Sequence, residues 1–358
     1  MNFKPKFLAT AIGSMPHSEA AKAVDIVLES IPQAPIWPQL SSTGLREQME
    51  IQYSEGIPNV VIDEAKRRMY FDTSKDYSDA FAGFYEQYMA AMDADSGNGD
   101  CSSMAISPQF SKGIYELEKR LKTSSARRPF VKVQTTGPCS FALTIVDENK
   151  RAIYYNEEFR DIIVKALAMK CRWQIQKFRP YAQNVICFID EPILSAFGSS
   201  TYVSVTRDDV VNILKEVIDA VHADKGIAGI HCCGNTEWSI LIDAGVDIVN
   251  FDAFSFGDTI AMYSKQMKEF LERGGVLAWG VAPTSKAIRE QSVDSLVAKF
   301  EQGAGHLAAQ GGISKQLIAE QAMITPSCGT GSMEVEDAQK VFALLSQTAN
   351  ALKGKYGF

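Results

Sequence analysis

The sequence predicts a (β/α)8 TIM barrel with extra helices, built as one domain over residues 1–358. Three observations favour this fold. Eight apolar, strand-like runs recur along the chain, helical patterns lie between most of them, and a chain of 358 residues suits a barrel that grows as one unit. A doubly wound sheet is the alternative, but no G-x-G-x-x-G segment opens a helix after a strand. In a barrel, the active site lies at the C-terminal ends of the strands.

The predicted strands come at intervals from one end of the chain to the other. They are KFLATAIGS (6–14), APIWPQL (34–40), PFVKVQTTGP (129–138), NVICFIDEP (184–192), GIAGIHCCG (226–234), VDIVNFDAF (246–254), GVLAWGVAP (275–283) and AMITPSCG (322–329). Several of these runs are rich in Val and Ile and are apolar almost without interruption. That composition is typical of parallel strands covered on both faces.

Two of the segments between the strands show clear helical patterns. Residues 206–226 begin with Thr206, which is suited to cap a helix, and continue with an apolar stripe. The stripe is formed by Val210, Leu214, Val217, Ile218 and Val221. Residues 78–92 repeat the pattern with Phe81, Phe84, Tyr85, Tyr88 and Met92.

Residues 41–128 are too long for one crossover and are predicted to hold extra helices. The segment DADSGNGD (93–100) lacks the spacing of a calcium-binding loop and is predicted to be a mobile surface loop.

The composition argues against several classes of protein. The net charge of −7 does not favour nucleic acid or an anionic membrane surface as a partner. No apolar run approaches the roughly 18 residues of a membrane-spanning helix. The first apolar run is broken by Gly13, Ser14 and Pro16, so it is interpreted as a strand and loop, and the protein is predicted to be cytoplasmic. The seven cysteines have no framework spacing and are predicted to be reduced thiols.

The segment GIAGIHCCGNTEW (226–238) places one histidine and two cysteines at the end of a predicted strand. His231 and Cys233 are two residues apart, so their side chains point the same way, whereas Cys232 points toward the helical layer. Asp252 ends the next strand and Cys328 ends the last one. Each of these residue types, taken singly, is more often part of an ordinary core. In a closed barrel all strand ends surround one mouth, and soft thiolates with an imidazole and a carboxylate suit zinc. The sequence therefore predicts one Zn²⁺ ion per chain.

Six motifs span nearly the whole chain. They are TAIGSMP (10–16), TTGPCSFAL (135–143), IDEP (189–192), HCCGN (231–235), VNFDAF (249–254) and SCGTG (327–331). Together and in this order, they resemble the catalytic barrel of cobalamin-independent methionine synthase. The wider superfamily also contains uroporphyrinogen decarboxylase, which lacks the H-x-C pair, and the zinc methyltransferases of methanogens. The long N-terminal barrel of the two-barrel enzyme is missing, so the chain resembles the short, single-barrel core form.

The resemblance implies roles for individual residues. Three residues match zinc ligands of the family: His231, Cys233 and Cys328. Asp252 stands where the family has a glutamate ligand, and aspartate is shorter by one methylene group. The segment that holds the homocysteine carboxylate corresponds to Ile12, Gly13 and Ser14. Asp190 matches the acid that binds the homocysteine ammonium group and joins the three matched ligands as a predicted catalytic residue. The implied reaction is methyl transfer to the sulfur of homocysteine, which gives methionine.

The sequence differs from that of the folate-using enzyme at three sites that contact the folate there. The stretch LAWGVAPTS (277–285) has no histidine to protonate the leaving pterin, CSFALTI (139–145) has no tryptophan to stack on it, and Ala196 stands where a glutamate contacts the folate. These departures favour a methyl-corrinoid, carried by a corrinoid protein, as the donor, because Co(I) leaves without a proton. Methylation of another thiol such as coenzyme M, a metal-free barrel lyase, and a non-enzymatic corrinoid- or metal-binding protein are the alternatives.

Overall fold

The structure is a computed structural model that describes residues 3–92, 99–202 and 204–358. Its centre is a seven-stranded sheet in which all neighbouring strands are parallel. In order across the sheet, the strands are β1 (Leu8–Ala9), β10 (Ala322–Pro326), β9 (Val276–Ala282), β8 (Ile248–Phe251), β7 (Ile227–Cys232), β6 (Ala182–Asp190) and β4 (Arg128–Thr136). Each of these strands overlaps one of the predicted runs.

The remaining predicted strand, residues 34–40, does not form a regular strand. It contacts the sheet through two isolated parallel bridges, Ile36 with Lys132 of β4 and Gln39 with Ser14. Pro35 and Pro38 each lack a backbone N–H donor, so a continuous ladder cannot form along this segment. The structure therefore shows a curled, seven-stranded parallel sheet of the TIM-barrel type rather than the continuous eight-stranded ladder that the sequence predicted.

Helices cover the outer face of the sheet. They are α1 (Ala20–Ser30), α2 (Met49–Gln52), α3 (Ser78–Met92), α4 (Lys112–Lys122), α5 (Pro138–Thr144), α6 (Glu157–Phe178), α7 (Arg207–Ala223), α8 (Trp238–Asp243), α9 (Ala253–Phe256), α10 (Ser264–Glu272), α11 (Val293–Gly311), α12 (Lys315–Glu320) and α13 (Val335–Tyr356). Short 3-10 turns separate several of them. From β6 to α13, each strand is followed by one or two helices, in the order typical of a barrel.

The helix α7 follows its sequence pattern closely. The Thr206 hydroxyl accepts a hydrogen bond from the backbone N–H of Asp209, which caps the first turn. All five residues of the predicted stripe on this helix are buried. In α3, by contrast, only Phe81 and Phe84 of the predicted face are fully covered, while Tyr85 and Tyr88 are half-buried. The apolar period predicts which face turns inward but not how completely that face is covered.

The region between residues 41 and 128 contains the predicted extra helices α2, α3 and α4. It also contains a hairpin that the sequence analysis missed. β2 (Val60–Asp63) and β3 (Arg68–Phe71) are antiparallel, and β3 also pairs in parallel with β5 (Val146–Asp147), which completes a separate three-stranded sheet. β2 and β3 are each four residues long, and β2 is only half-buried, so they leave little apolar alternation to detect. The predicted surface loop at 93–100 falls mostly outside the described residues.

Two apolar clusters mark the inner and outer faces of the sheet. Ile227 of β7 belongs to the inner cluster, whereas Ile230 and Cys232 belong to the large outer cluster beneath the helices. Because side chains alternate along a strand, His231 has the inward parity of Ile227. This parity places the imidazole inside the curled sheet and the Cys232 thiol outside it, as the sequence predicts.

Two further expectations concern the chain as a whole. All seven cysteines are free thiols in the structure, in agreement with the predicted absence of a disulfide framework. Among the described residues, no helix combines the length and the apolar character that crossing a membrane requires.

Candidate metal centre

Three of the predicted metal ligands come together at one end of the sheet. The nitrogen or sulfur donor atoms of His231, Cys233 and Cys328 all lie within 4.8 Å of one another. Along a flat sheet, β7 and β10 would be three spacings of about 4.8 Å apart. The curl of the sheet therefore brings the end of β7 and the loop after β10 to a common point, although 95 positions separate the two cysteines in sequence.

The imidazole of His231 is held from one side and free on the other. Its Nδ1 lies 2.6 Å from the side-chain Oδ1 of Asn250 on β8. Its Nε2 is buried and has no hydrogen-bond partner among the described residues. A buried polar nitrogen without a partner destabilises a fold by about 1–3 kcal/mol unless something else binds it. A metal ion between the two thiols would satisfy Nε2, so the donor set fits such an ion.

The two thiols of the centre shift each other's pKa in opposite directions. The nearby Cys328 thiol and His231 lower the pKa of Cys233. The hydrogen bond to Cys233, burial and the charge on Cys233, in turn, raise the pKa of Cys328. Without a cation, one of the two sulfurs therefore keeps its proton, whereas a bound metal ion allows both to be thiolates. Cys232, next in sequence, has a pKa raised to about 12 by burial, which suits an inert structural thiol.

Asp252, the fourth predicted ligand, is not part of the group of three donors. Its carboxylate caps helix α9 and accepts a hydrogen bond of 2.8 Å from the backbone N–H of Ser255. Burial raises the pKa of Asp252, and the neighbouring charge of Cys233 contributes to that rise. The carboxylate therefore lies near the thiols while it is engaged in a helix cap, and its role as a direct ligand stays a prediction.

Asp190, at the end of β6, is the register partner of His231 on β7. Its Oδ1 atom is buried and has no hydrogen-bond partner among the described residues. Burial raises the pKa of Asp190, and nearby Lys132 and His231 oppose that rise. The structure thus places a carboxyl oxygen with free hydrogen-bonding capacity immediately beside the group of three donors.

Lys132 of β4 is a buried cation below Asp190. Its Nζ donates a hydrogen bond of 3.3 Å to the side chain of Gln134 and lies 4.6 Å from the centre of the Phe188 ring. No carboxylate of the described residues lies within ion-pair distance of this amine. Burial accordingly lowers the pKa of Lys132 to about 8.

The segment Ile12–Ser14 lies against the loop that carries Cys328. The backbone N–H of Gly331 donates a hydrogen bond of 3.3 Å to the Ser14 hydroxyl, and the N–H of Thr330 donates to the Ser14 carbonyl at 2.8 Å. Ile12 itself packs in the inner apolar cluster. The predicted carboxylate-binding segment and the third predicted metal ligand are therefore neighbours at the same end of the sheet.

Gly13, in the middle of this segment, has no room for a side chain. An added Cβ would lie 2.1 Å from the Nε2 atom of Gln134, which donates to the carbonyl oxygen of Trp37 at 3.1 Å. The close approach of the Gln134 side chain explains why a glycine occurs at this position.

Glu191 is a residue of this region whose role the sequence analysis missed. It is fully buried and accepts hydrogen bonds from the backbone N–H groups of Cys139 and Ser140, each at 2.8 Å, and from the Ser140 hydroxyl at 2.7 Å. These bonds tie the start of α5 to the end of β6. Burial raises the pKa of Glu191 to about 7, while the bonds from Ser140 and Cys139 oppose the rise. A carboxyl residue beside a strand end and a nearby T-G-P helix start were the signals present in the sequence.

The position at which the folate enzyme has an acid is closed in this structure. Trp279 of β9 belongs to the outer apolar cluster and is completely buried. At Gly280, which has the inward parity, an added Cβ would lie 2.5 Å from the carbonyl oxygen of Phe251. No side chain, histidine included, fits there without a shift of the backbone.

Comparisons with known proteins bear on the fold. No model of a known protein family matches the chain, and no curated protein matches it in sequence. The chain is similar in structure to a methyltransferase from Methanosarcina mazei, with a TM-score of 0.53 and 14% identity over 93% of this chain and 86% of that one. A B12-independent methionine synthase from a Shewanella species, in complex with selenomethionine, aligns with a TM-score of 0.44 and 12% identity over 68% of this chain and 66% of that one. The first likeness supports the same type of fold.

Proposed function

We propose that this protein is a zinc-dependent methyltransferase that moves a methyl group to a thiol, most directly that of homocysteine, with a methyl-corrinoid as the donor. The observation that carries the proposal is the convergence of His231, Cys233 and Cys328 at the end of the sheet where barrel enzymes have their active sites. The fold shared with a methyltransferase of M. mazei supports the class of reaction.

The three donors fit zinc better than other common ions. One imidazole nitrogen and two thiolates are the soft ligands of a tetrahedral zinc site, and a catalytic site keeps one position for substrate. Asp252 is our proposed carboxylate donor of the resting site, because only its Oδ1 accepts the capping bond of α9 and its second oxygen is left to act as a ligand. When bound, zinc lowers the pKa of a coordinating thiol, which for a cysteine-like thiol is otherwise about 8.5.

The chain's own residues bind and orient the acceptor. We propose that Asp190 accepts the ammonium group through its free oxygen, and that the segment Ile12–Ser14 holds the carboxylate. The acceptor sulfur then points toward the metal ligands and the donor's methyl group. A bond forms between sulfur and the methyl carbon while the carbon–cobalt bond breaks, and its electron pair stays on cobalt as Co(I). The thiol proton goes to solvent on binding, so the methyl transfer itself needs no general acid.

Metal analysis tests the proposal directly. Protein purified without added zinc is expected to contain about one zinc ion per chain, with zinc–sulfur distances near 2.3 Å by X-ray absorption. If the metal-free protein did not take up zinc, that result would contradict the proposal and favour a metal-free lyase. Zinc-loaded protein that forms no methylated thiol with any donor would favour a metal-binding protein without catalytic activity.

The Asp190→Asn variant tests the acceptor. We expect weaker binding of homocysteine by about 1–3 kcal/mol, because the amide removes a charged hydrogen-bond partner of the ammonium group. Binding of a simple thiol without an amino group, such as 2-mercaptoethanol, should be unchanged. Calorimetric titration of zinc-loaded protein with both thiols measures the difference.

The zinc content of Asp190→Asn is the internal control, because a loss of metal would weaken both thiols together. Unchanged homocysteine affinity combined with tight binding of coenzyme M would show that the acceptor is a thiol other than homocysteine. The sulfonate of coenzyme M favours a cation as its partner, and Asp190 does not supply one.

A further inference from the structure

Asn250 of β8 is completely buried and is the register partner of His231. It received no role from its sequence pattern, since it stands inside the apolar run VDIVNF. Its side chain nevertheless makes three hydrogen bonds. One joins its Oδ1 to Nδ1 of His231 at 2.6 Å, and its Nδ2 donates at 2.8 Å to each of two acceptors, the Ala278 carbonyl and the Thr325 hydroxyl.

The orientation of the amide follows from these partners. A backbone carbonyl only accepts hydrogen bonds, so the group of Asn250 that faces Ala278 has to be the NH₂ group. The Oδ1 atom then faces His231. A flipped amide would put its oxygen against the Ala278 carbonyl oxygen, and this bond would be replaced by a contact between two acceptors.

The tautomer of His231 follows in turn. Because Oδ1 only accepts, Nδ1 of the imidazole has to carry the proton and donate it. In the neutral imidazole, Nε2 is then the unprotonated nitrogen, with its lone pair available. This is the same atom that is buried without a partner among the described residues. Because Asn250 engages Nδ1, Nε2 is the ring nitrogen that His231 has left for the group of three donors.

The network also links the two parts of the sheet that carry ligands. Asn250 joins His231 on β7 to Ala278 on β9 and to Thr325 on β10. Thr325 is three residues before Cys328. One amide therefore helps to fix both the imidazole and the strand that leads to the third donor.

We infer that Asn250 is a positioning residue of the metal centre, which holds His231 as its Nδ1–H tautomer and aims the Nε2 lone pair at the metal position before any metal binds. The metal part of this inference rests on the proposed zinc function, whereas the tautomer does not. Partners of this kind typically change metal affinity by roughly 10–100-fold.

Two substitutions separate positioning from a general loss of stability. Asn250→Ala removes the acceptor for Nδ1–H, and we expect zinc affinity to fall roughly 10–100-fold. Asn250→Asp keeps an acceptor for Nδ1–H but puts a second oxygen against the Ala278 carbonyl. We therefore expect Asn250→Asp to lower the melting temperature of the metal-free protein while its zinc affinity stays at or above that of the wild type.

The chain offers a matched control in Gln321. This buried amide also donates to two backbone carbonyls, those of Leu271 and Gly275, at the opposite end of β10. Gln321→Ala should destabilise the fold and leave zinc affinity unchanged. Competition with a chromophoric chelator measures affinity, and thermal unfolding of the metal-free proteins measures stability.

Nitrogen NMR of the metal-free, ¹⁵N-labelled protein reads the tautomer without metal or turnover, with the His231 signals assigned by a His231→Gln variant. We expect a protonated Nδ1 and a bare Nε2 in the wild type, and a mixture of tautomers in Asn250→Ala. A protonated Nε2 in the wild type, or zinc binding to Asn250→Ala as tight as to the wild type, would overturn the inference. The expected tautomer in a protein that binds no zinc would instead overturn the zinc function and leave the tautomer assignment intact.

Discussion

Replacing Cys328 by serine is expected to remove most of the bound zinc and with it the methyl transfer, whereas replacing Cys232 by serine keeps both. The Cys328 sulfur belongs to the group of three donors that lie within 4.8 Å of one another. A serine hydroxyl stays protonated near neutral pH and is a poor zinc ligand compared with a thiolate. Cys232 differs because its side chain lies in the outer apolar cluster. Zinc content after dialysis against a weak chelator measures the difference between the two variants.

Stability has to be measured alongside metal content, because Cys232→Ser buries a hydroxyl group at a cost of about 1–3 kcal/mol if it finds no partner. Thermal unfolding of both metal-free variants provides that control. Equal loss of zinc from the two variants would contradict the assignment of Cys232 to the outer face.

The Asp252→Asn variant tests the fourth predicted ligand in the same assay of zinc content. Weaker zinc binding would support Asp252 as a ligand, and unchanged binding would leave its carboxylate as the cap of α9.

The parts of the fold that the sequence predicted well depend on local pattern. Helix α7 forms where a capping threonine precedes a stripe of apolar residues at helical spacing. The strands β6, β7 and β9 form where apolar runs are buried on both faces. These signals lie within a single segment, so the rest of the chain is not needed to interpret them.

Residues 34–40 show the limit of that reasoning. The run A-P-I-W-P-Q-L correctly predicts a buried, extended segment, since Ile36 and Trp37 are completely buried. Its prolines prevent a ladder, and side chains hold the segment instead. The Trp37 indole donates to the side chain of Gln174 at 2.9 Å, and Gln134 donates to the Trp37 carbonyl. Partners about 100 or more positions away in sequence cannot be inferred from the local pattern.

The candidate site also contains some residues whose placement the sequence pattern predicted and others whose placement it did not. The two-residue spacing of His231 and Cys233 predicted that they point to one side, and the convergence with Cys328 required only the barrel hypothesis. Asp252 was harder to place, because its Oδ1 caps a helix at Ser255 and its carboxylate is not part of the group of three donors. Asn250 was missed because an asparagine in an apolar strand does not reveal partners on three other strands.

The second prediction with a large expected effect concerns the methyl donor. Zinc-loaded protein should form methionine from homocysteine with methylcobalamin, faster with a methylated corrinoid protein, and form little or none with methyltetrahydrofolate. Departure of a pterin nitrogen requires a proton, and general acid catalysis typically contributes about 10²–10⁴-fold to a rate. By the resemblance in sequence, the position of the folate enzyme's acid corresponds to Trp279, whose ring lies in the outer cluster, and Gly280, which has no room for a side chain. Cobalt leaves as Co(I) without a proton, so the same site suffices for a corrinoid donor.

The decisive comparison assays both donors side by side with one preparation of zinc-loaded protein, and the Cys328→Ser variant gives the background rate.

Robust turnover with methyltetrahydrofolate alone would overturn the corrinoid assignment and would require an acid elsewhere. His17, three residues beyond Ser14, would then be the first residue to test, because neither of its buried ring nitrogens has a partner in the described part of the chain and burial lowers its pKa. A His17→Gln variant that lost folate turnover but kept its zinc would assign the acid to the loop after β1. With a corrinoid donor, the same substitution should leave the rate of methyl transfer nearly unchanged, because no proton is delivered to the leaving cobalt.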